Sequence, residues 1–209
     1  MNTYAPQVVT SHYTKDSYKD KDRWISYWYQ LAFVRKADPS SLLEIGPGNG
    51  SVTDALRKEG IMVTTCDIAH DTHPDVVGSV TALPFPDVTF DTVLAAEVLE
   101  HIRYEDVPRA LSELHRVSRN HVIISLPDPG YVFSFSTKLP LMRRLSFLLK
   151  IPFFWETHQF NGQHYWELGK RAYSTRAFVQ LAKNAGLFLR ESRSYVDDPA
   201  HRFFLFEIK

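Results

Sequence analysis

Hydrophobic residues along this chain form short continuous runs that alternate with stretches of helical spacing. Continuous apolar runs are typical of strands buried on both faces of a sheet, and they predict strands at 41–45, 61–66, 90–96 and 120–126, with a shorter strand near 75–78. Helices are predicted between them, at 52–59 and 105–117. Strands that alternate with helices favour a parallel sheet covered on both faces.

The amino-terminal part of the chain predicts one further helix. Apolar residues recur at three- and four-residue steps over 22–36, namely Trp24, Ile25, Tyr27, Trp28, Leu31, Ala32 and Val34. We favour core packing for Tyr27 and Trp28 over a second interpretation, an aromatic wall beside a bound ligand. The polar residues 1–20 are expected to extend this helix into an arm or lid, which would cover 1–36.

The region 127–170 breaks the alternation and is too long for an ordinary connection, which indicates a functional insertion. Its apolar residues are expected to form a lid over an acceptor. A second interpretation is that its mixture of basic and apolar residues contacts a membrane or a lipid-linked acceptor, but Pro140 and Pro152 limit any single helix there. A helix at 175–185 and an antiparallel pair of strands at 187–195 and 202–208 then complete the predicted fold.

Composition narrows the class of protein. A chain of 209 residues that is 44% hydrophobic is expected to form a single domain over 1–209. Its 24 basic and 24 acidic residues balance, so no nucleic-acid partner is expected. The single cysteine, Cys66, lies in an apolar run and predicts a buried thiol in a reducing compartment. The sequence contains neither a signal-peptide pattern nor an apolar run long enough to span a membrane, so a cytoplasmic location is expected.

The first predicted strand ends in a glycine-rich turn that indicates a cofactor site. Glu44 is followed by glycines at alternate positions, Gly46, Gly48 and Gly50. Glycine permits positive φ and close approach of a ligand to the backbone, at the start of a helix whose amides face that ligand. Dinucleotide-binding proteins place their third glycine three positions after the second, and Ser51 stands there in this chain.

This E-x-G-x-G-x-G arrangement resembles the first motif of class I S-adenosylmethionine-dependent methyltransferases. The resemblance covers most of 41–126, because the segments 83–91 and 97–102 are similar to the methyltransferase type 11 family. It implies a Rossmann-like class I methyltransferase fold, a mostly parallel seven-stranded α/β sheet with helices on both faces and a terminal antiparallel strand. It also implies methyl transfer from the cofactor S-adenosyl-L-methionine to a small-molecule acceptor, at an oxygen, nitrogen or carbon atom.

The resemblance assigns cofactor-binding residues to the ends of successive strands. Asp67, which lies 21 positions after Gly46, would accept the ribose hydroxyls, and Ser79 stands where the family usually places an acid against the adenine amino group. The complete set implied is Glu44, Gly46, Gly48, Asn49, Gly50, Asp67, Ile68, Ser79, Val80, Glu97 and Val98.

Two histidines are candidate catalytic residues. His101 follows the fourth strand at the carboxyl edge of the sheet, where open α/β folds place their sites, and it could act as a base or simply pack against the next helix. His164 lies three residues before Glu167, in a cluster that either faces the acceptor or fixes the insertion to the sheet. An alternative is a divalent metal held by Glu97, Glu100 and His101, which would share one face if the segment were helical.

The sequence leaves two other functions open and disfavours a third. The chain could be a non-catalytic subunit that binds S-adenosylmethionine and activates a partner. It could be a nicotinamide oxidoreductase, which would bind NAD in preference to S-adenosylmethionine. Methylation of DNA amino groups is disfavoured, because 96–99 lacks the Asn/Asp-Pro-Pro-Tyr signature of many such enzymes. The sequence leaves the oligomeric state and the identity of the acceptor open.

Overall fold

The structure is a computed structural model that describes Tyr4, residues 20–138 and residues 145–209. Most of the predicted amino-terminal arm (1–3 and 5–19) and the middle of the insertion (139–144, which includes Pro140) lie outside the described residues.

The described strands form a seven-stranded sheet with the order β3-β2-β1-β4-β5-β9-β8. Its strands are β1 (Ser41–Ile45), β2 (Met62–Asp67), β3 (Val76–Val77), β4 (Phe90–Ala96), β5 (Ser118–Pro127), β8 (Leu187–Arg193) and β9 (His201–Ile208). The first five are parallel to one another, whereas β9 runs antiparallel to both β5 and β8. The predicted mostly parallel sheet with an antiparallel strand near one edge is confirmed.

The strand order reverses between β1 and β4. The chain moves outward from β1 to β2 and β3 on one side, and from β4 to β5 on the other, so the connections after β1 and β4 leave in opposite directions. Ile45, near the carboxyl end of β1, lies between Cys66 of β2 and Ala95 of β4. Such a reversal opens a crevice at the carboxyl edge of the sheet, where ligands of open α/β folds bind.

Two hydrophobic cores flank the sheet because side chains alternate between its faces. The helices are α1 (Lys21–Ala37), α2 (Ser51–Lys58), α3 (Val107–Val117) and α4 (Thr175–Asn184). Leu42, Leu94 and Ile123 face the core that contains residues of α1 and α2, and their neighbours Leu43 and Val93 face the core that contains α3 and α4. Each core excludes water from one face of the parallel strands and so keeps the sheet edge fixed.

The buried face of α1 differs from the predicted one. Trp24 and Trp28 are 56% and 57% exposed, so the prediction of core packing was wrong for Trp28. The helix instead buries Ser26, Tyr27, Tyr29, Gln30, Phe33 and Val34. Among the polar members of this face, the Tyr29 hydroxyl donates a hydrogen bond to Asp197, whereas the buried Ser26 hydroxyl has no hydrogen-bond partner among the described residues. Because α1 carries apolar residues all around its surface, their spacing could not identify the buried face.

The insertion contains a separate two-stranded sheet formed by β6 (Gly130–Thr137) and β7 (Leu145–Pro152). The two strands pair antiparallel, from Gly130 opposite Pro152 to Thr137 opposite Leu145. Neither core includes a described residue of this hairpin. Within the described part of the chain, no helix is long and apolar enough to cross a membrane.

Candidate functional site

A cavity of about 480 Å³ opens at the carboxyl edge of the sheet, beside the reversal between β1 and β4. Its walls come from the ends of β1, β2 and β4, from α1, and from three later segments at 127–129, 163–167 and 200–201. This volume is within the range of small-molecule and cofactor sites.

The glycine turn after β1 forms one wall of the cavity. Gly46 has a φ of 67°, and a Cβ atom there would lie 2.9 Å from Cγ2 of Val98. Only glycine therefore lets the turn approach the segment after β4 without strain. Gly48 also lines the cavity.

Asn49 and Gly50, two other predicted cofactor-binding residues, are not among the described residues that line the cavity. The Asn49 side-chain oxygen accepts hydrogen bonds from the amide of Ser51 at 3.1 Å and the hydroxyl of Tyr27 at 3.3 Å. Gly50, with a φ of 74°, is the N-cap of α2. In the structure these residues shape the turn, and Tyr27 connects it to α1.

Glu44 lies beneath this turn and is 4% exposed. It accepts a hydrogen bond from the hydroxyl of Thr53, the third residue of α2. Burial raises the pKa of Glu44 to about 7, although Thr53 opposes the shift. The cavity therefore contains a carboxyl group that a nearby positive charge would ionise.

Asp67 and Ile68 line the cavity at the end of β2. One oxygen of Asp67, Oδ1, accepts a hydrogen bond from the amide of Ala69 at 2.8 Å. That bond fixes the carboxyl group at the cavity wall, and burial raises its pKa. Such a group can accept hydroxyl donors from a ligand.

The loop after β3 supplies Ser79 and Val80 to the same wall. The hydroxyls of Ser79 and Thr81 are 2.9 Å apart, so one bonds the other. Val80 is buried, with 6% of its surface exposed. This part of the cavity combines one polar group with an apolar surface.

Glu97 and Val98 line the cavity just beyond β4. Glu97 has a φ of 54°, an uncommon conformation for a residue with a side chain and one found often at functional sites. Two contacts with Ser125 of β5 hold it. The Glu97 amide donates to the Ser125 carbonyl at 3.1 Å, and the Ser125 hydroxyl donates to Oε1 of Glu97 at 2.8 Å.

The structure brings the two predicted catalytic histidines together, with ring centroids 5.2 Å apart. His101 Nδ1 lies 3.0 Å from the carbonyl oxygen of Gln163, and His164 Nδ1 lies 2.9 Å from Oε1 of Glu167. A carbonyl can only accept, so His101 donates from Nδ1, and its neutral tautomer carries the lone pair on Nε2. Burial, and then the neighbouring His164, lower the pKa of His101 and favour that neutral form.

Glu100 lies beside these histidines and is completely buried. Among the described residues, neither of its carboxyl oxygens has a hydrogen-bond partner. Burial raises its pKa well above the ordinary value, and the nearby Glu97 adds to the shift. Ligand atoms of Glu100, His101 and His164 all lie within 4.8 Å of one another.

The sequence-based grouping of Glu97 with Glu100 and His101 differs from this cluster. The segment Leu99–His101 is a short 3₁₀ turn, and Glu97 lies outside it. His164 takes its place beside the other two residues, whereas Glu97 contacts Ser125 and has Oε2 3.6 Å from Nε2 of His201.

His201 is a cavity residue that the sequence analysis did not identify. Its Nδ1 lies 2.6 Å from Oδ1 of Asp198. Burial lowers the pKa of His201, but the carboxyl groups of Glu97 and Asp198 raise it by more. The net pKa therefore lies above the ordinary value of a histidine. The sequence carries no signal for this position, because only the antiparallel register places His201 opposite Pro127 at the carboxyl end of β5.

Aromatic residues from the amino-terminal part of the chain also line the cavity, namely Tyr4 and Tyr27. The Tyr4 hydroxyl bonds Asp106 and accepts the amide of Arg103 at 3.1 Å, and burial raises its pKa to about 12. Tyr27 is 9% exposed and belongs to a core, which confirms the favoured interpretation, and it also lines the cavity.

Comparison with known proteins locates the family resemblance in the segment that supplies the glycine turn, Asp67 and His101 to the cavity. Residues 43–126 match the model of a family described as "Methyltransferase domain". A curated relative, an uncharacterised methyltransferase of Schizosaccharomyces pombe, is 31% identical over an alignment that covers 44% of this chain and 40% of the relative. The matched part thus spans less than half the length of that relative.

Solved structures resemble the chain over most of its length. The 1,6-didemethyltoxoflavin N1-methyltransferase of Burkholderia thailandensis is similar with a TM-score of 0.64 and 16% identity, over 95% of this chain and 83% of that one. The N-methyltransferase NodS of Bradyrhizobium japonicum is similar with a TM-score of 0.63 and 13% identity, over 100% and 99% of the two chains. These likenesses establish the fold. Residues 43–126 therefore match the model of a methyltransferase family, as their motifs predict, and the chain has the class I methyltransferase fold.

Proposed function

We propose that this chain transfers the methyl group of S-adenosylmethionine to a small-molecule acceptor. The observation that carries the proposal is the convergence of the glycine turn, Asp67 and the pair His101 and His164 on one cavity of about 480 Å³. The family match over 43–126 supports the same chemistry.

The residues on the cavity wall suit the parts of this cofactor. Gly46 and Gly48 allow the methionine portion to approach the backbone, and Glu44 offers a carboxyl group to its ammonium. Asp67 would accept the ribose hydroxyls, and Ser79 and Val80 would contact the adenine. An ammonium beside Glu44 would also favour ionisation of a carboxyl whose pKa burial raises to about 7.

When bound, the cofactor supplies a methyl group attached to a positively charged sulfur, which is transferred by in-line displacement. The chain must align the acceptor and remove its proton where the acceptor atom carries one. His101 is suited to take that proton at Nε2, because Gln163 holds its Nδ1–H and burial favours the neutral ring. His164, oriented by Glu167, would position the acceptor beside it.

The test of this role is a His101→Ala substitution. Loss of a general base typically slows a reaction by roughly 10²- to 10⁴-fold. We expect a loss of this size in methyl transfer from radiolabelled S-adenosylmethionine to whichever compound of an acceptor panel the wild-type chain methylates. Binding of S-adenosylhomocysteine should stay within about twofold, because His101 would contact the acceptor rather than the cofactor.

The control is His70→Ala, which removes an exposed histidine outside the cavity lining and should leave the rate unchanged. A chain that binds S-adenosylhomocysteine but methylates no compound of a broad panel would support the alternative of a non-catalytic cofactor-binding subunit. Stabilisation by NAD and not by S-adenosylmethionine would instead support the oxidoreductase alternative.

A second candidate, metal-assisted methyl transfer, is favoured by the cluster of Glu100, His101 and His164. Glu100 is a buried carboxyl that lacks a hydrogen-bond partner within the described part of the structure, a costly arrangement that a cation would relieve. Both histidines use Nδ1 for an oxygen acceptor, the orientation usual for histidines that bind a metal through Nε2. Two imidazoles and one carboxylate suit Mn²⁺, Fe²⁺ or Zn²⁺, and a bound cation would lower the pKa of an acceptor hydroxyl.

Titration calorimetry with Mn²⁺ tests this second candidate independently of activity. We expect one site per chain that Glu100→Gln abolishes. The control is Glu105→Gln, since Glu105 is an exposed glutamate outside the cluster, and its substitution should leave Mn²⁺ affinity within a few-fold. Absence of Mn²⁺ and Zn²⁺ binding at neutral pH would leave His101 as the base without a metal.

A further inference from the structure

The β6–β7 hairpin presents an apolar side to solvent. Residues directly opposite one another in an antiparallel pair point to the same face, and the register pairs Tyr131 with Ile151, Phe133 with Leu149, and Phe135 with Phe147. One face therefore carries Tyr131, Phe133, Phe135, Leu145, Phe147, Leu149 and Ile151, which we call the apolar hairpin face. All seven side chains are between 46% and 66% exposed.

The opposite face of the hairpin has a different character. Serines 134, 136 and 146 lie on it together with Val132 and Leu148, and the hydroxyls of Ser136 and Ser146 are 3.2 Å apart. Lys150 on this face reaches back to the body of the protein, where it pairs with the buried Asp128 at 3.0 Å. The hairpin is thus anchored on its polar side and exposes its apolar side, although exposed apolar patches larger than a few hundred Å² are rare on soluble monomers.

Charge along this part of the sequence is one-sided. From 130 to 155 the sequence contains Lys138, Arg143, Arg144 and Lys150 and neither aspartate nor glutamate, whereas the whole chain balances 24 basic with 24 acidic residues. Of these four, Lys150 is 7% exposed and paired with Asp128, and Arg143 and Arg144 lie outside the described residues. Lys138, just beyond β6, is the exposed basic residue in the described part of the hairpin. Basic residues next to an exposed apolar surface complement an anionic lipid surface.

Aromatic residues are concentrated at the base of the hairpin. Tyr131 contacts Phe153 with ring centroids 5.1 Å apart, and Trp155 lies 4.7 Å from Phe154. Phe154 and Trp155 are 65% and 48% exposed. Tyrosine and tryptophan are the residues enriched where proteins meet the headgroup layer.

We propose that the apolar hairpin face binds peripherally to the surface of an anionic phospholipid bilayer. The prolines that argue against a long surface helix do not affect this proposal, because the segment that would meet the lipid is a hairpin and Pro152 ends its second strand. Pro129, immediately before β6, lines the cavity, so a docked hairpin would hold the cavity entrance close to the bilayer. This binding goes beyond methyl transfer and does not depend on it.

A second copy of the chain is the competing occupant of this face. The experiment below distinguishes it from a bilayer by the oligomeric state of the chain in solution.

Flotation of the full chain with phospholipid vesicles tests the proposal. We expect binding to vesicles of phosphatidylcholine and phosphatidylserine that is stronger than to phosphatidylcholine alone and that weakens as salt is added. Phe133→Ser should reduce binding about tenfold, the amount expected when one buried phenylalanine is lost.

Met62→Ser is the matched control. Met62 is 68% exposed, close to the 66% of Phe133. It is the first residue of β2, so it lies at the amino end of that strand and outside the hairpin. It should leave vesicle binding unchanged, and both variants should retain the wild-type melting temperature. The proposal fails if the wild-type chain does not float with phosphatidylserine vesicles, if both variants lose binding equally, or if Phe133→Ser converts a stable dimer to a monomer in size-exclusion chromatography.

Discussion

Two walls of the cavity are built in different ways. The glycine wall, formed by Gly46, Gly48, Asp67, Ser79 and Val98, comes from turns that follow consecutive strands, and the backbone of the sheet fixes it. The histidine wall, formed by His101, His164 and His201, comes from three segments far apart in sequence. Side-chain contacts orient these rings, to the Gln163 carbonyl, Glu167 and Asp198 respectively. Local backbone geometry therefore determines the first wall, and long-range packing determines the second.

The largest expected effect concerns the acid beneath the glycine wall. Burial raises the pKa of Glu44 from 4.5 to about 7 in the folded chain. Below pH 4.5 the Glu44 carboxyl is protonated in both the folded and the unfolded chain. Between pH 4.5 and 7 it is protonated only in the folded chain. The free energy of unfolding therefore falls as the pH rises through this range. Above pH 7 both states are ionised and the penalty is constant, at up to about 3 kcal/mol.

Glu44→Gln keeps an acceptor for Thr53 and removes this titration. In denaturant unfolding without ligand, the variant should lose less stability than the wild type between pH 4 and pH 8, and it should be the more stable of the two at pH 8. Glu105→Gln, at an exposed glutamate, should leave the pH dependence as it is in the wild type. Equal pH dependence in Glu44→Gln and the wild type would show that Glu44 does not resist ionisation in the folded chain.

The next effect tests whether the backbone fixes the glycine wall. Gly46→Ala would place Cβ 2.9 Å from Cγ2 of Val98, at a φ of 67° that alanine rarely adopts. We expect the dissociation constant of S-adenosylhomocysteine, measured by calorimetry, to rise roughly 10- to 100-fold, which corresponds to about 1.4 to 2.7 kcal/mol.

Gly60→Ala separates strain from steric contact. Gly60 has a φ of 88° and open space around a Cβ position, so alanine there should lower stability by about 1 kcal/mol and leave ligand affinity unchanged. An equal change of ligand affinity in the two variants would show that the close approach of Gly46 to Val98 is not required for binding.

The difference between the walls also explains what the sequence could predict. Strand ends carry their functional residues with them, so Glu44, Asp67 and Ser79 could be placed at one edge once the alternation of strands and helices was recognised. The glycine spacing distinguished this turn from a dinucleotide site, in agreement with the family match over 43–126.

Features that depend on contacts between distant segments could not be predicted from the spacing of residues in the sequence. His201 meets the cavity only because β9 runs antiparallel beside β5, and Glu97 adopts a positive φ that no motif specifies. The exposure of Trp24 and Trp28 depends on which face of α1 meets Tyr195 and Phe203. In each case the partner lies more than 25 positions away in the sequence.

The smallest effect tests whether a side-chain contact supports the histidine wall. Trp166 is fully buried, and its indole N–H donates to the carbonyl of Leu99 at 3.0 Å, in the 3₁₀ turn that contains His101. Trp166→Phe leaves that carbonyl without its donor and should lower the free energy of unfolding by about 1 to 2 kcal/mol. Trp24→Phe, at an exposed site, should change stability by less than about 0.5 kcal/mol. Equal stabilities for the two variants would mean that the Leu99 contact does not support this turn.

The most direct test of the cofactor assignment is calorimetric titration of S-adenosylhomocysteine into the wild-type chain and Asp67→Asn. Asparagine can still accept the Ala69 amide through Oδ1, but it replaces the second carboxyl oxygen with a donor. We predict saturable binding to one site in the wild type and an affinity about 10- to 100-fold lower in the variant, as expected for loss of hydrogen bonds to a charged group. Absence of binding to the wild-type chain, or equal affinity in the two proteins, would contradict the account.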